Sequence, residues 1–263
     1  MSKIVIENAE IIKKKKVGPG YFVMTIGPFS RTAAIKAGQF AHIRLTNSNI
    51  YFRRAFSVYD VNAEDKSIDI LFKVFGRGTR VLAELPEGEI LNLMGPLGNG
   101  FKLPSRNEMS LLAGGGVGMP PIYFLARQMA DRGYDMSKVH FFYGGQMKDD
   151  LVEISRIRKL KAKLYPSTDD GSYGFKGLVT EAIHSEIEGR EGSFRLYGCG
   201  PEGMLKSLDE YGRRRQIPGQ LSLEAPMPCG IGVCLGCIRP LRAGGYTRVC
   251  REGPVYDIGE VLL

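Results

Sequence analysis

The pattern of apolar residues changes near Pro104, and this change constrains the fold more than any other feature of the sequence. Before Pro104, short segments rich in β-branched and aromatic residues are separated by Gly and Pro, which predicts an antiparallel arrangement of short strands, as a barrel or a sandwich. After it, apolar strand-like segments alternate with helix-like segments, among them residues 149–160 and 175–187. This alternation predicts parallel β–α–β units and a doubly wound sheet.

We place the expected domain boundaries where the composition changes. Residues 1–103 are predicted to form an antiparallel β-barrel domain with a short helix from Thr79 to Leu85, and residues 104–223 an α/β domain with a doubly wound parallel sheet. Residues 224–263 are rich in Gly and Cys and show little periodicity. This small C-terminal segment needs something other than a hydrophobic core to hold it together. The expected fold class is therefore multidomain, β plus α/β.

Composition and charge exclude several classes of protein. No apolar run is long enough to cross a membrane, and the N-terminal segment lacks the apolar stretch of a signal peptide, so we expect a soluble cytoplasmic protein. The net charge is +8, but basic residues are spread along the chain, so nucleic acid is not an expected partner. The one dense run, Lys13–Lys16, is predicted to be a solvated hairpin tip, with docking of an anionic partner or nucleotide as the alternative.

Four of the five cysteines lie in the C-terminal segment with the spacing C-x4-C-x2-C-x12-C. In a cytosolic protein, clustered cysteines favour metal binding or catalysis over disulfides. Zinc sites usually contain two C-x2-C pairs, whereas this spacing is typical of plant-type [2Fe–2S] clusters, and the intervening glycines let the loop curl closely around a cluster. We predict a [2Fe–2S] cluster here, with zinc or loose thiols as alternatives. The predicted ligands are Cys229, Cys234, Cys237 and Cys250.

Two glycine-rich turns, each between a predicted strand and a predicted helix, are candidates for a nucleotide site. Such turns let backbone N–H groups and a helix N-terminus face a pyrophosphate, and in a doubly wound sheet both lie at the carboxyl ends of strands. The first turn matches G-x-G-x-x-G incompletely because Met119 occupies the sixth position, so a tight turn without a ligand is the alternative. The candidate residues are Gly114, Gly115, Gly116, Gly118, Cys199, Gly200 and Pro201.

The first hundred residues contain two candidate anion-binding elements. Arg53 and Arg54 are adjacent at the entrance of a predicted strand, and arginine can clamp a phosphate with two hydrogen bonds. Gly78 and Thr79 open the predicted helix, whose N-terminus favours anions. Simple solvation of the two arginines is the alternative.

Taken together, these motifs resemble the ferredoxin–NADP reductase superfamily, in the same order along nearly the whole chain. Residues Arg54 to Ser57 are similar to its flavin motif, Gly114 to Gly118 with Pro120 to its nicotinamide-nucleotide loop, and Cys199 to Pro201 to its C-G-P motif. The [2Fe–2S] segment and the closing VCREGPVYDIGEVL are similar to the electron-transfer subunits of type B dihydroorotate dehydrogenases. The chain ends in Val-Leu-Leu, so it lacks the terminal aromatic residue that stacks on the flavin in many members.

The resemblance implies an NADH-dependent oxidoreductase subunit of pyrimidine biosynthesis. Electrons would pass from NADH through FAD and the [2Fe–2S] cluster to a dihydroorotate dehydrogenase catalytic subunit that carries FMN, in a heterotetramer. Arg54 would bind the FAD pyrophosphate, and Phe56 and Ser57 would contact the isoalloxazine. The remaining implied FAD-binding residues are Ala55, Leu71, Phe72, Lys73, Gly78 and Thr79.

Two other functions remain open at this point. One is a related NAD(P)H reductase subunit that serves a sulfide dehydrogenase, a hydrogenase or a transhydrogenase-like complex, and the other is a zinc-stapled interaction protein. We expect NADH to be preferred over NADPH, because no arginine follows the second strand of the α/β part and because Asp149 and Asp150 would repel a 2′-phosphate. The positive charge of Lys148 would have the opposite effect. No acid–base catalytic constellation is recognisable, and His42, His140 and His184 receive no role.

Overall fold

A computed structural model describes residues 4–45 and 49–263. The N-terminal part is a closed antiparallel barrel with the strand order β1-β2-β5-β4-β3-β6, which confirms the predicted barrel. Its strands are β1 (Val5–Gly18), β2 (Tyr21–Gly27), β3 (Phe40–Arg44), β4 (Arg54–Asn62), β5 (Ser67–Lys73) and β6 (Ile90–Leu97). Helix α1 (Arg77–Glu84) lies between β5 and β6 and agrees with the predicted helix. A single turn of 3₁₀-helix, Thr32–Ala34, precedes β3.

The lysine run lies within strand β1 rather than at a hairpin tip. Pairing of β1 with β2 continues from Glu10 to Gly18, and the tip follows Gly18. Lys14 Nζ donates hydrogen bonds to the carbonyl oxygens of Ala83 and Leu85 at the end of α1. The prediction of a hairpin is therefore confirmed, but the prediction that the lysines form its tip is wrong, because strand pairing extends through the run.

The second part is built on a seven-stranded sheet with the order β10-β9-β8-β7-β11-β12-β15. Strands β7 to β12 run parallel, and the C-terminal β15 is antiparallel to β12. The strands are β7 (Met109–Gly115), β8 (Val139–Gly145), β9 (Lys163–Thr168), β10 (Phe175–Lys176), β11 (Phe194–Cys199), β12 (Gly219–Ser222) and β15 (Val255–Asp257). The helices are α2 (Met119–Asp131), α3 (Ile154–Arg158), α4 (Val179–Ile187) and α5 (Glu202–Arg215).

Helices cover both faces of this sheet, which confirms the doubly wound prediction. Successive residues of a strand point to opposite faces. Accordingly, Leu112 packs in the core that contains the apolar face of α2 and the barrel, whereas Leu111 and Ala113 pack in a second core with α4 and α5. The sheet is thus buried on both sides, as the apolar runs of its central strands predict.

Local predictions differ from the structure between residues 149 and 187. A helix was expected over 149–160, but regular helix is limited to the five residues of α3. Strand β9 was not expected, because it is polar and contains Pro166, and the helix expected to begin at Phe175 begins at Val179. Parallel pairing to β8 stabilises β9 in spite of this local composition.

The C-terminal segment is attached to both parts of the molecule. Strands β13 (Ile238–Pro240) and β14 (Tyr246–Arg248) form a two-stranded hairpin, and β15 extends the large sheet. Cys237 and Cys250 pack in the same core as Phe40 of the barrel. Within the described residues, no helix is long and apolar enough to cross a membrane.

Candidate functional site

Arg54 and the first turn of α1 lie together at the surface of the barrel. A Cβ atom added to Gly78 would be 2.5 Å from Arg54 Nε, so the guanidinium packs directly on this glycine. Thr79 Oγ1 accepts hydrogen bonds from the N–H groups of Phe75 at 2.9 Å and Gly76 at 3.1 Å, which orders the loop before the helix. An arginine beside a helix N-terminus is suited to bind a phosphate. The two candidate anion-binding elements of the sequence therefore lie side by side.

Arg53 has a different environment from its neighbour. Its Nη1 donates to the carbonyl oxygen of Asn92 at 2.8 Å, and its Nη2 bonds the Asn92 side chain on β6. Among the described residues, Arg54 Nη1 bonds only the nearby carbonyl oxygens of Phe52, at 2.7 Å, and Arg53, at 3.4 Å. Of the two arginines, Arg54 thus has more donors left for a ligand.

The other residues expected to contact a flavin lie on strands β4 and β5. Leu71 and Phe72 are buried in the barrel core, so only their main chain is left for a ligand. The Phe56 and Phe72 rings contact each other, with centroids 5.8 Å apart. Lys73 Nζ bonds Asp150 Oδ1 at 2.8 Å, so its side chain joins the barrel to the second part of the molecule.

The two glycine-rich turns are in contact, as expected from their place in the sheet. Strands β7 and β11 are neighbours, with Gly114 opposite Cys199. A Cβ on Gly118 would overlap the carbonyl group of Cys199, and a Cβ on Gly200 would lie 3.1 Å from Gly115 Cα. The close approach of the two backbones by itself requires glycine at these positions, and it brings the N-termini of α2 and α5 to one edge of the sheet.

A cleft of about 460 Å³ opens beyond the carboxyl ends of β11 and β12. Glu224 lines this cleft. The residue is exposed, but the surrounding protein desolvates its carboxyl group and raises its pKa. Burial also raises the pKa of the neighbouring Cys199 thiol. Sequence reasoning missed Glu224, and its position at the end of the strand-like segment 219–224 is the signal that could have found it. The other lining residues include Gly200, Pro201, Glu202, Leu223 and Leu263.

The four C-terminal cysteines converge as two pairs. Cys237 Sγ and Cys250 Sγ are 3.3 Å apart and both side chains are buried, whereas the pair of Cys229 and Cys234 reaches the surface. In the part of the chain that the structure describes, no three His, Cys, Asp or Glu side chains are close enough to hold one metal ion. Two thiolates for each of two irons is the ligand set of a [2Fe–2S] cluster, so these residues fit that group.

Backbone N–H groups surround the thiols of the exposed pair. Burial raises the pKa of Cys229, but hydrogen bonds from the N–H groups of Cys234, Ile231 and Val233 and from the Cys234 thiol outweigh it and lower the pKa to about 6. The N–H of Gly236 donates to Cys234 Sγ at 3.4 Å. Such donors stabilise negative charge on sulfur, as a thiolate ligand requires.

His42 lies against the loop that carries the first cysteine. A Cβ on Gly230 would be 2.6 Å from His42 Cε1 and 2.7 Å from Nδ1, so the ring packs on this glycine. Burial, with a smaller contribution from Arg53, lowers the pKa of His42 to about 4. The sequence offered no motif around His42, and this neighbour was missed.

The structure changes the interpretation of the aspartates after β8. Asp150 is buried and its Oδ1 accepts hydrogen bonds from Tyr21 Oη and Lys73 Nζ, both at 2.8 Å. The expectation that Asp150 would repel a 2′-phosphate is therefore wrong, because its carboxylate faces the barrel and is paired there.

Other carboxylates are exposed at this edge of the sheet, where Asp150 was expected. Asp149 is exposed, and Asp169 and Asp170 follow the unexpected strand β9. Their N–H groups donate to the carbonyl oxygens of Gly145 at 3.1 Å and Gln146 at 3.2 Å, which holds them beside the end of β8. Three exposed carboxylates lie here, opposed by Lys148 on the adjacent turn and by Lys176, whose side chain packs on Gly171.

Comparison with known proteins gives two matching family models. Residues 224–262 match the iron-sulfur cluster binding domain of dihydroorotate dehydrogenase B. Residues 112–210 match the oxidoreductase NAD-binding domain. The first match contains the four paired cysteines, and the second contains both glycine-rich turns.

Relatives of known name align with nearly the whole chain. It is 32% identical over 265 residues to the dihydroorotate dehydrogenase B (NAD(+)) electron transfer subunit of Streptococcus mutans, covering 99% of both chains. It is 34% identical over 263 residues to the protein of that name from Geobacillus sp. strain WCH70, covering 98% of both. Among solved structures, a chain of the NADH-dependent reduced ferredoxin-NADP oxidoreductase, described for flavin-based electron bifurcation, superposes with a TM-score of 0.83 at 29% identity, covering 97% of this chain and 89% of that one. The chain thus belongs to the family of dihydroorotate dehydrogenase B electron transfer subunits.

Proposed function

We propose that the chain is the electron transfer subunit of a dihydroorotate dehydrogenase. In this role it passes electrons from NADH, by way of FAD and a [2Fe–2S] cluster, to a catalytic subunit that carries FMN and oxidises dihydroorotate. The observation that carries the proposal is the convergence of four cysteines as two pairs in a segment packed against the barrel. When bound, the flavin exchanges electron pairs with the nicotinamide and the cluster carries single electrons.

The barrel supplies the residues for FAD. Arg54 and the N-terminus of α1 at Gly78 and Thr79 bind its pyrophosphate, a role supported by the packing of the guanidinium on Gly78. Residues 55–57 on β4 and the main chain of residues 71–73 on β5 line the isoalloxazine. Because Lys73 is paired with Asp150, its side chain holds the second part of the molecule beside the barrel.

The α/β part supplies the residues for NADH. The turns at 114–118 and 199–201 direct two helix N-termini to one edge of the sheet, where a dinucleotide pyrophosphate is stabilised. Glu224, in the neighbouring cleft beside the buried Cys199, lines the end of the nucleotide that reacts. The carboxylates of Asp149, Asp169 and Asp170 favour NADH over NADPH, because they repel a 2′-phosphate.

The cysteine loop supplies both the cluster ligands and a surface for the partner. Cys229, Cys234, Cys237 and Cys250 hold the two irons. Exposed apolar side chains stand beside the exposed Cys234, and such a patch is typical of a docking surface. We propose that the catalytic subunit binds to this patch, because binding there brings the cluster close to the electron acceptor in that subunit. The patch residues are Ile231, Val233 and Leu235.

The chain is divided into three parts, and it assembles with a catalytic partner. We propose a flavin domain over residues 1–103, a nucleotide domain over 104–223 and a cluster segment over 224–263. This division is supported by the position of β1–β6 before residue 103 and of the paired cysteines after residue 224, while β15 anchors the last segment to the nucleotide sheet. We also propose a cytoplasmic heterotetramer with the catalytic subunit, which the mass of the coexpressed complex tests.

A second candidate function has a specific observation in its favour. The similarity to a chain of the NADH-dependent reduced ferredoxin-NADP oxidoreductase covers almost the whole of this chain. A subunit of a transhydrogenase-like complex would have the same flavin, nucleotide and cluster sites and would differ in the partner that docks at the cysteine loop. The two candidates are therefore separated by the partner and not by the cofactors.

The test begins with anaerobic purification and measurement of flavin, iron and zinc content. One FAD and two irons per chain, with bleaching of the flavin and cluster absorption by NADH, is the expected result. Zinc in place of iron overturns the proposal in favour of an interaction protein. The purified chain is then combined with the FMN-containing dihydroorotate dehydrogenase subunit of the same organism. Reduction of NAD⁺ by dihydroorotate is expected, and its absence together with ferredoxin-dependent reduction of NADP⁺ in a different complex favours the second candidate.

A further inference from the structure

His42 is a fully buried histidine at the contact between the barrel and the cysteine segment. It lies on β3 and its side chain has no solvent exposure. Among the described residues, neither of its ring nitrogens has a hydrogen-bond partner. The imidazole packs against the backbone at Gly230, which directly follows Cys229.

A buried imidazole without a partner is an unusual feature of a folded protein. Buried polar atoms are nearly always hydrogen-bonded, because leaving one unpaired destabilises the folded protein. Whatever its protonation state, the ring retains at least one N–H donor. Because the ring of His42 also packs on the loop that follows Cys229, its free donor points to an acceptor bound at this place.

The position of His42 limits which acceptor this is. On β3 it stands opposite Ala55 of β4, and its ring is 5.7 Å from that of Phe40. Phe40 in turn packs in one core with Cys237 and Cys250. His42 thus lies next to the strand of the flavin motif, and the loop it touches is the one that surrounds the Cys229 thiol with N–H groups.

We propose that His42 is a positioning residue of the iron–sulfur centre, whose ring N–H donates a hydrogen bond to a cluster sulfide or a ligand thiolate. This inference rests on the proposed function, because it requires the cluster. Hydrogen bonds to the sulfurs of such clusters set their reduction potential, and a donor stabilises the more negative, reduced state. His42 accordingly makes the cluster a better acceptor of electrons from the flavin side.

His140 provides a matched comparison within the same chain. It is also fully buried, and burial lowers its pKa to about 4 as well. It lies on β8 and stacks on Tyr165 with ring centroids 5.4 Å apart. Its ring nitrogens likewise lack a hydrogen-bond partner among the described residues, although Glu186 Oε1 lies 3.4 Å from Nδ1. Replacement of either histidine by phenylalanine removes a buried imidazole, but only the His42 change alters the surroundings of the cysteines.

The first experiment is a redox titration of the full chain, with the cluster followed by electron paramagnetic resonance. In His42→Phe, loss of one hydrogen bond is expected to lower the ratio of reduced to oxidised cluster at a fixed potential about tenfold, which is about 59 mV for a one-electron couple. His42→Gln, which keeps an N–H donor, is expected to recover part of this shift, and His140→Phe is expected to leave the potential unchanged. An unchanged potential in His42→Phe with full iron content, or an equal shift in His140→Phe, overturns the proposal.

The second experiment uses the wild-type chain, so it decides the question even when His42→Phe fails to hold iron. Protein labelled with ¹⁵N only in the imidazole of histidine is reduced and studied by pulsed electron paramagnetic resonance. A ¹⁵N coupling to the reduced cluster is expected, because the chain has only three histidines and His140 and His184 lie in the α/β part. If the cluster is present but shows no such coupling, the role of His42 is refuted and the proposed function is not. If the chain holds no iron, the proposed function itself is refuted.

Discussion

At the scale of single residues, neighbours of the same type have different environments. Arg53 is bonded to Asn92 on β6, while Arg54 packs on Gly78 at the start of α1. Asp150 is paired inside the molecule, while Asp149 is exposed. Because sequence motifs name residue types and their spacing, and not the direction of side chains, these distinctions decide which member of each pair is available to a ligand.

We predict that Arg54→Ala weakens binding of FAD. A charge-assisted hydrogen bond to phosphate contributes about 1.5–3 kcal/mol, so the dissociation constant is expected to rise about ten- to hundredfold. Fluorescence titration of the apoprotein with FAD measures this. Arg53→Ala is the control, since its bonds to Asn92 are internal and its loss is expected to reduce thermal stability more than FAD affinity. A larger loss of FAD affinity in the control would reverse the assignment.

We predict that Cys234→Ser loses iron while Cys199→Ser keeps the wild-type iron content. Cys234 belongs to one of the two thiol pairs, and a serine hydroxyl is a poor substitute for a thiolate ligand. Cys199 is buried at the end of β11, in the other glycine-rich turn. Iron analysis of anaerobically purified variants provides the measurement. Equal loss of iron in both variants is incompatible with the assigned ligand set.

At the scale of elements, the ends of the parallel strands determine where a nucleotide binds. The turn after β7 and the turn after β11 touch through glycines. The turns after β8 and β9 are also in contact. Here the N–H groups of Asp169 and Asp170 donate hydrogen bonds to carbonyl oxygens at the end of β8. Because all four turns stand at the carboxyl ends of neighbouring strands, one edge of the sheet carries every group that we assign to NADH.

We predict that Gly118→Ala impairs nucleotide binding and stability, because its Cβ would overlap the carbonyl group of Cys199. Overpacking of this kind costs about 1–3 kcal/mol, and separation of the two turns is expected to raise KM for NADH. Gly203→Ala is the control. It lies within α5 with no atom within 4 Å of the added Cβ, so it is expected to be neutral or to stabilise by up to about 1 kcal/mol. Thermal unfolding and steady-state kinetics of both variants test this, and an unaffected Gly118→Ala contradicts it.

We predict a higher kcat/KM for NADH than for NADPH with an artificial electron acceptor. The exposed carboxylates of Asp149, Asp169 and Asp170 repel a 2′-phosphate, and Lys148 only partly offsets them. The double variant Asp169→Asn, Asp170→Asn is expected to reduce the difference in kcat/KM between NADH and NADPH. The reduction is expected to be larger at low ionic strength, because salt screens exposed charges. A preference for NADPH in the wild-type chain would instead indicate Lys148 as a phosphate ligand.

At the scale of the whole molecule, ion pairs join the barrel to the α/β part. Asp60 of β4 is paired with Arg127 of α2 at 3.2 Å and with Arg156 of α3 at 2.5 Å, and Tyr21 and Lys73 of the barrel meet Asp150. The cysteine segment closes a second contact, through the core that it shares with the barrel. The flavin, nucleotide and cluster sites are therefore held in a defined arrangement, as electron transfer between them requires.

We predict that Asp150→Ala loosens the contact between the two parts without changing the choice of nucleotide. The buried hydroxyl of Tyr21 loses its acceptor, which costs about 1–3 kcal/mol, whereas the half-exposed Lys73 contributes little. A lower temperature of unfolding with an unchanged ratio of NADH to NADPH efficiency is expected. A changed ratio would mean that Asp150 does face the nucleotide, and Asp149→Ala serves as the exposed neighbour for comparison.

Much of the fold and of the candidate site followed from the sequence by itself. The strand-only pattern before Pro104 was sufficient for an antiparallel barrel or sandwich, and the alternation after it was sufficient for the doubly wound sheet. The spacing of the four cysteines and the order of the glycine-rich turns indicated the cluster and the nucleotide edge. Such features are local, because the residues of a turn or a loop are close in the chain and are therefore close in any fold that contains it.

The tertiary structure alone decided what lies between these motifs. Strand β9, with its proline and polar residues, is stabilised by pairing to β8, and it brings Asp169 and Asp170 to the nucleotide edge. The contact of His42 with Gly230 joins a barrel strand to a loop near the other end of the chain. Contacts between residues so far apart in sequence depend on how whole elements pack, and this packing cannot be predicted from the spacing of residues along the chain.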